Sequence, residues 1–215
     1  MSKTVRSTIV SLLFATAAGG LLLASLRFPL WQMRMTSPQY QDQETLRVNV
    51  YAGAMHGDLN EIHVLNKYIG VTAPTDLPQF RWMPPALIAG AALGVLLALL
   101  PLGARRGSQA LVAMAVAVAV LGAAALAQFQ MYRIGHERNP RAALRGVKDF
   151  TPPILGTVKI ENFTVSAWPG VGSWLIAGAI VLYICGAVGR PKGWIGGRWH
   201  EHAPAKHRNE HVISA

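Results

Sequence analysis

Four long apolar runs, each free of Asp, Glu, Lys and Arg, constrain this chain more than any other feature. A helix needs about 20 residues to cross the hydrocarbon of a bilayer. Because backbone groups in lipid must bond to one another, each run is expected to be helical. The chain is 52% hydrophobic and 14% charged, whereas a soluble domain carries about 25% charged residues. The runs predict transmembrane helices at 8–26, 85–104, 110–131 and 172–189.

The first run has a second interpretation as a signal peptide, since Lys3 and Arg6 precede it. It is long for such a segment and lacks a clean small-residue cleavage pattern, which favours a retained span. Cytoplasmic flanks of spans are enriched in basic residues. An inside N-terminus places nine of the twenty Lys and Arg residues in three short inner segments. The other basic residues are spread over two longer outer loops, so we predict a multi-pass protein of the bacterial inner membrane with both termini inside.

The predicted fold is an α-helical membrane protein with four transmembrane helices in two hairpins. Two outer loops are expected to form a small α+β extracytoplasmic cap. The remaining segments are a cytoplasmic N-terminus at 1–7, outer loops at 27–84 and 132–171, a cytoplasmic turn at 105–109, and a basic cytoplasmic tail at 190–215.

Several function classes are disfavoured by the sequence. The spans lack the ionisable groups that proton relays and ion-coupled carriers place at membrane depth, which argues against a permease. Nucleophile, metalloprotease and phosphate-loop motifs are absent, so we predict no enzyme. The pI of about 10.4 is attributed to charges that flank the spans, and no nucleic-acid module is recognised in the sequence. The single cysteine, Cys185, lies inside a predicted span. Function is therefore expected in the outer loops.

Residue alternation predicts two strands in the first outer loop. Met33 and Met35 alternate with polar residues, and so do the apolar residues of 46–50. From Asp58 the spacing becomes helical, with Asp58 as N-cap and Gly70 as C-cap. Met55 and His56 are expected in the turn before this helix. In the second outer loop, "TVKIENFTV" predicts one strand, and "WPGVGSW" predicts a turn that leads into the last span.

The segment 54–71 concentrates potential metal ligands. Met55, His56 and His63 are the candidate ligands, with Glu61 and Asn66 as supporting groups; Met33 and Met35 are possible additional ligands. On a continuous helix His56 and His63 would lie about 10 Å apart, too far for one ion. They share an ion only if the chain reverses at Gly57. The alternative is a polar loop that forms surface hydrogen bonds or contacts a partner. The tail histidines, 200, 202, 207 and 211, are similarly either a weak metal tract or part of a solvated basic tail.

Three phrases carry a family resemblance: "PLWQMRMTSPQY", "DLNEIHVLNKYIGV" and "FTPPILGTVKIENFTVSAWPGVGSW". They resemble a family of small bacterial four-span membrane proteins with LWxIxLxAPQYP, INxLNHYIGM and PPxxGxxxxxNFxxxxxPGxGxY stretches. The family accompanies copper-handling proteins and nitrous oxide reductase maturation factors, so the resemblance implies a role with copper. The family's His and Met in LNHYIGM are replaced here by Lys67 and Val71, neither of which suits Cu(I).

Two functions follow as expectations. The first is an accessory protein that assists copper delivery to, or maturation of, a respiratory enzyme resembling nitrous oxide reductase. The second is a non-catalytic structural or assembly subunit of a larger membrane complex, with no metal of its own. Both place the chain in the lipid bilayer beside another membrane or periplasmic protein.

Overall fold

A computed structural model of the chain describes residues 3–37, 45–70, 77–100, 102–137, 139, 141–142, 149–160 and 162–188. The described part contains five α-helices and five β-strands. The helices are α1 (Lys3–Ser25), α2 (Leu59–Ile69), α3 (Met83–Ala98), α4 (Leu102–His136) and α5 (Val171–Val188). A short 3-10 helix, Pro78–Phe80, precedes α3.

Four of these helices form a ring. Helix α1 packs against α3 and α5, and α4 packs against the same two helices. Small side chains such as Ala18 on α1 and Ala179 on α5 are fully buried inside the ring, which lets the helix backbones approach closely. Leu22 and Tyr183 fill the space between them and are also fully buried.

Three helical segments of the described chain are long and apolar enough to cross a membrane, Pro78–Ala98, Gly107–His136 and Val171–Val188. The apolar part of α1, Ile9–Ser25, is shorter. Many large apolar side chains point outward from the ring, including Leu93, Leu121 and Val181. Such an exterior indicates a membrane protein whose helices contact the lipid bilayer.

The connection between the second and third predicted spans differs from the prediction. Helix α3 ends at Ala98 and α4 already begins at Leu102, so residues 105–109 belong to α4 and do not form a turn. With 35 residues, α4 is about 50 Å long and exceeds the roughly 30 Å hydrocarbon thickness. The predicted tail, 190–215, lies outside the described residues.

The two loops predicted to lie outside combine into one antiparallel sheet with the order β3-β2-β1-β5-β4. The first loop contributes β1 (Trp31–Thr36), β2 (Leu46–Val50) and β3 (Met55–Gly57). The second contributes β4 (Gly156–Ile160) and β5 (Phe163–Pro169). Strand β1 lies at the centre, between β2 and β5. The expected joint α+β cap is therefore present, and the pairing of β1 with β5 holds its two halves together.

Two elements of the cap were predicted wrongly. Met55 and His56 do not lie in a turn, since they form a strand that pairs with β2. "TVKIENFTV" is not one strand but the hairpin of β4 and β5, with Asn162 in its turn. The alternation of apolar and polar residues breaks between β4 and β5, where two polar residues follow each other, and the one-strand prediction overlooked this break.

Helix α2 covers the apolar face of the sheet. Leu59, Ile62 and Leu65 of the helix pack with Leu46 and Val48 of β2. The helix ends at Ile69, and the next residue, Gly70, has a left-handed φ of 77°, as expected for a C-cap. The Gly70 carbonyl accepts a 2.8 Å hydrogen bond from the Asn139 backbone N–H, in the segment that follows α4. This bond fixes the end of α2 to the other half of the chain.

Backbone hydrogen bonds connect the sheet to the helix ring. The Leu30 carbonyl, just before β1, accepts hydrogen bonds from Gly170 N–H (2.8 Å) and from Ser173 Oγ (2.7 Å). Gly172 N–H donates to the Pro29 carbonyl at 2.9 Å. The start of β1 is thereby joined to the start of α5, and the sheet is held at the end of the ring where α1 ends and α5 begins.

Candidate functional site

The two faces of the sheet differ in chemistry. Side chains alternate between faces along each strand, and the strand register groups the apolar positions on one side. Helix α2 covers that side. The opposite side carries Arg34 of β1, Arg47 of β2 and Ser166 of β5, which lie beside one another in the register. The sheet thus presents an uncovered polar face on the described part of the cap.

The predicted methionine ligands lie on the apolar face. Met33, Met35 and Met55 are half-buried and pack against the cluster formed by Leu46, Val48 and Ile62. Their packing accounts for the alternating methionines of β1, because flexible thioether side chains fill irregular core space well.

The predicted histidine ligands lie elsewhere. His56 is paired with Asn49, on the opposite face of β3 from Met55. Its ring meets the Tyr51 ring edge-on at a centroid distance of 5.3 Å. His63 is an exposed residue of α2. The structure therefore does not bring Met55, His56 and His63 together, and the described residues contain no group of three or more His, Cys, Asp or Glu side chains placed to hold a metal ion.

Helix α2 has an outer surface that faces away from the sheet. We define it by the exposed residues Glu61, His63, Val64 and Lys67. They follow the i, i+3 and i+4 spacing that places side chains on one face. Asn66 is half-buried at its margin. Lys67 is part of this surface, whereas Val71 and the four tail histidines lie outside the described residues.

The reversal between β3 and α2 depends on Gly57 and Asp58. Gly57 has a φ of 128°, and a Cβ there would overlap the Arg47 carbonyl. The Asp58 backbone N–H donates to that carbonyl at 2.9 Å, and Asp58 Oδ2 accepts a 2.8 Å hydrogen bond from the Arg47 backbone N–H. Asp58 thus fastens the start of α2 to β2. Its carboxylate makes this bond and no side-chain cap bond to α2.

A groove on the polar face combines cationic, hydroxyl and aromatic side chains. We call it the arginine groove; its volume is about 520 Å³ and its lining includes Gln32, Arg34, Thr36, Arg47, Ser166 and Trp168. Ser166 Oγ and Thr157 Oγ1 lie 2.9 Å apart beside it. Trp168 is 55% exposed, so its indole is open to a ligand or to the membrane surface.

Sequence reasoning missed the arginine groove. The alternation in "MRM" and "LRV" was sufficient to place Arg34 and Arg47 on the solvent side of their strands. It did not show that the two strands pair with these residues opposite each other. Ser166 and Trp168 lie on β5, in the second half of the chain, and only the long-range pairing of β1 with β5 brings them beside the arginines.

Comparison of the chain with models of known protein families and with curated proteins finds no match. The resemblance to the four-span family remains an expectation from the three phrases that carry it.

Proposed function

We propose that this chain is a non-catalytic accessory subunit of the bacterial inner membrane, which binds a larger membrane complex through its extracytoplasmic cap. The observation that carries the proposal is the union of both outer loops in one sheet through β1 and β5. Such a sheet, hydrogen-bonded to the start of α5, displays surface residues in fixed positions. Fixed positions lower the ordering cost of binding a partner.

The outer surface of α2 is the proposed contact with the partner. It presents an acid, a base and a histidine around Val64, which is 52% exposed. An apolar side chain within a polar rim is the usual composition of a protein contact. Lys67 fits this function better than metal binding, since an ammonium group donates hydrogen bonds and is a poor ligand for Cu(I).

The proposed topology has four spans, with α1 as the first and both termini in the cytoplasm. The packing of α1 against both α3 and α5 supports its place in the bundle as a fourth span. The cap then lies on the periplasmic side, where it is available to a membrane-bound or periplasmic enzyme.

The test is co-purification after gentle detergent extraction, with mass spectrometry of the chains that remain bound. Val64→Glu is expected to release a partner that wild type retains in fixed stoichiometry. Val158→Glu is the matched control, because Val158 is also an exposed valine of the cap (41%) but lies on β4. Equal retention by both variants and wild type would exclude the α2 surface.

Copper delivery is the second proposal, favoured by the three methionines that share the apolar face. Thioether sulfur selects Cu(I), and Met33, Met35 and Met55 belong to one cluster. In this proposal the enzyme served is a copper-dependent respiratory reductase, in line with the resemblance. Purified wild-type protein is expected to bind Cu(I) in a titration. The Met33→Leu/Met55→Leu variant is expected to lose this binding, and the His56→Ala and His63→Ala variants are expected to keep it. An unchanged response in the methionine variant would reject the proposal.

A further inference from the structure

Two arginines face each other across the strand pair at the centre of the polar face. Arg34 and Arg47 are direct partners in the β1–β2 register, which places their Cβ atoms about 5 Å apart. Both are exposed. Within the described part of the chain, neither guanidinium has an ion pair or a hydrogen bond. Like charges in directly opposite positions destabilise a strand pair, and an anion bound between the two guanidinium groups would remove that repulsion.

The surroundings of the pair increase its positive potential. The strand positions on this face include Lys159 and His56 and no Asp or Glu. Thr36 and Ser166 provide hydroxyl groups beside the arginines. Guanidinium groups bind phosphate oxygens through paired N–H donors, and hydroxyl groups add further hydrogen bonds. The composition of the arginine groove therefore matches a phosphate group.

The position of the arginine groove relates it to the membrane surface. Trp168 is two residues before Gly170, after which α5 begins at Val171. Tryptophan is enriched at membrane interfaces. Arg34 lies two strand positions beyond Gln32, the register partner of Trp168, and thus about 7 Å further along β1. The groove extends from the end of β1 that is joined to the helix ring toward the far end of this strand.

We propose that the arginine groove binds a phosphate group between Arg34 and Arg47, with Trp168 covering the part of the ligand nearest the membrane. This site is separate from the outer surface of α2 and goes beyond the proposed docking function. The volume of about 520 Å³ lies within the usual range of ligand sites and accommodates the group to which the phosphate is attached. That group is either the headgroup of an anionic phospholipid or a soluble phosphate compound.

The first experiment separates anionic lipid from neutral lipid. The full-length protein is placed in nanodiscs of phosphatidylcholine, with or without phosphatidylglycerol, and retained lipids are identified by native mass spectrometry after detergent transfer. Wild type is expected to retain phosphatidylglycerol, and Arg34→Gln and Arg47→Gln are each expected to weaken retention about tenfold, the loss of one charge-assisted contact. Arg27→Gln is the matched control, because Arg27 is an exposed arginine between α1 and β1, outside the sheet.

The second experiment titrates inorganic phosphate against the detergent-solubilised protein and follows tryptophan fluorescence, with Trp168→Phe to isolate the Trp168 signal. The ligand is a soluble phosphate compound if wild type shows a fluorescence response that Arg34→Gln loses, and if wild type retains no phosphatidylglycerol in the first experiment. Absence of both responses, or equal weakening by Arg27→Gln, overturns the proposal. The Arg34→Glu variant separates loss of binding from loss of folding. Its new carboxylate faces Arg47 and replaces a repulsion with an attraction, so the melting temperature of the variant is expected to equal or exceed that of wild type while phosphate binding is lost.

Discussion

The hydroxyl of Tyr183 on α5 donates a 3.2 Å hydrogen bond to the backbone carbonyl of Gly90 on α3. Helices α3 and α5 are on opposite sides of the ring, and the Tyr183 side chain spans the interior between them. Its ring lies against Gly94, one turn further along α3, where a Cβ would overlap the ring. The Gly90 and Gly94 spacing in α3 thus accommodates a tyrosine from across the bundle.

Gly94→Ala is expected to destabilise the helix ring by about 1–3 kcal/mol, because the added methyl group overpacks against Tyr183. Gly122→Ala is the matched control on α4, where an added Cβ meets no atom within 4 Å and alanine favours the helix. Thermal unfolding in detergent measures both. Equal melting temperatures for the two variants would contradict the packing described for Tyr183.

Gln109→Leu is expected to stabilise the protein by about 1 kcal/mol. Gln109 is fully buried, and neither polar atom of its amide has a hydrogen-bond partner within the described part of the chain. A buried amide without a partner costs about 1–3 kcal/mol, and leucine of similar size removes that cost. Chemical unfolding in detergent gives the change in free energy. A loss of stability would instead show that the amide has a partner.

Gly57→Ala is expected to lower the stability of the cap by more than Gly156→Ala. Both glycines have positive φ values, 128° and 99°, so alanine is strained at each. Only at Gly57 does the added Cβ also overlap the Arg47 carbonyl, whereas at Gly156 it meets open space. Hydrogen exchange of the β2 and β3 amides measures the effect, and equal exchange in both variants would exclude the steric contribution.

Asp58→Ala is expected to cost about 1 kcal/mol, the usual value of a single hydrogen bond, because the Arg47 N–H loses its 2.8 Å acceptor. Asp58→Asn keeps an acceptor oxygen at the same place and is expected to retain most of the stability. Nuclear magnetic resonance measures the hydrogen exchange of the Arg47 amide. Faster exchange in Asp58→Ala, but not in Asp58→Asn, would confirm the hydrogen bond. Identical exchange in both variants would argue against it.

The sequence predicts the elements of this fold better than it predicts their boundaries. The apolar runs indicate the ring helices, and the alternation around Met33 and Val48 indicates β1 and β2. The three-residue strand β3 is too short to show a period. The hairpin of β4 and β5 is marked in the sequence only by two consecutive polar residues, Glu161 and Asn162, a break in the alternation that is short enough to be overlooked. Helix α4 begins earlier than predicted, since polar residues near a helix end are compatible with both helix and turn.

The candidate sites were harder to predict because they depend on which residues become neighbours. Met55 and His56 are adjacent in sequence, yet a strand directs them to opposite faces. Arg34 and Ser166 are far apart in sequence, yet they become direct partners. A search for ligand-forming side chains within one segment of sequence finds pairs such as Met55 and His56 and misses pairs such as Arg34 and Ser166. Only the strand register distinguishes them.

The central position of β1 also affects how the protein is made. Its two neighbours come from different halves of the chain, so after synthesis of the first half β1 has one unpaired edge that waits for β5. The sheet closes only if both loops emerge on the same side of the membrane. A strand that lacks its neighbour exposes unpaired backbone N–H and C=O groups, so the first half of the sheet stays incomplete until the second loop pairs with β1.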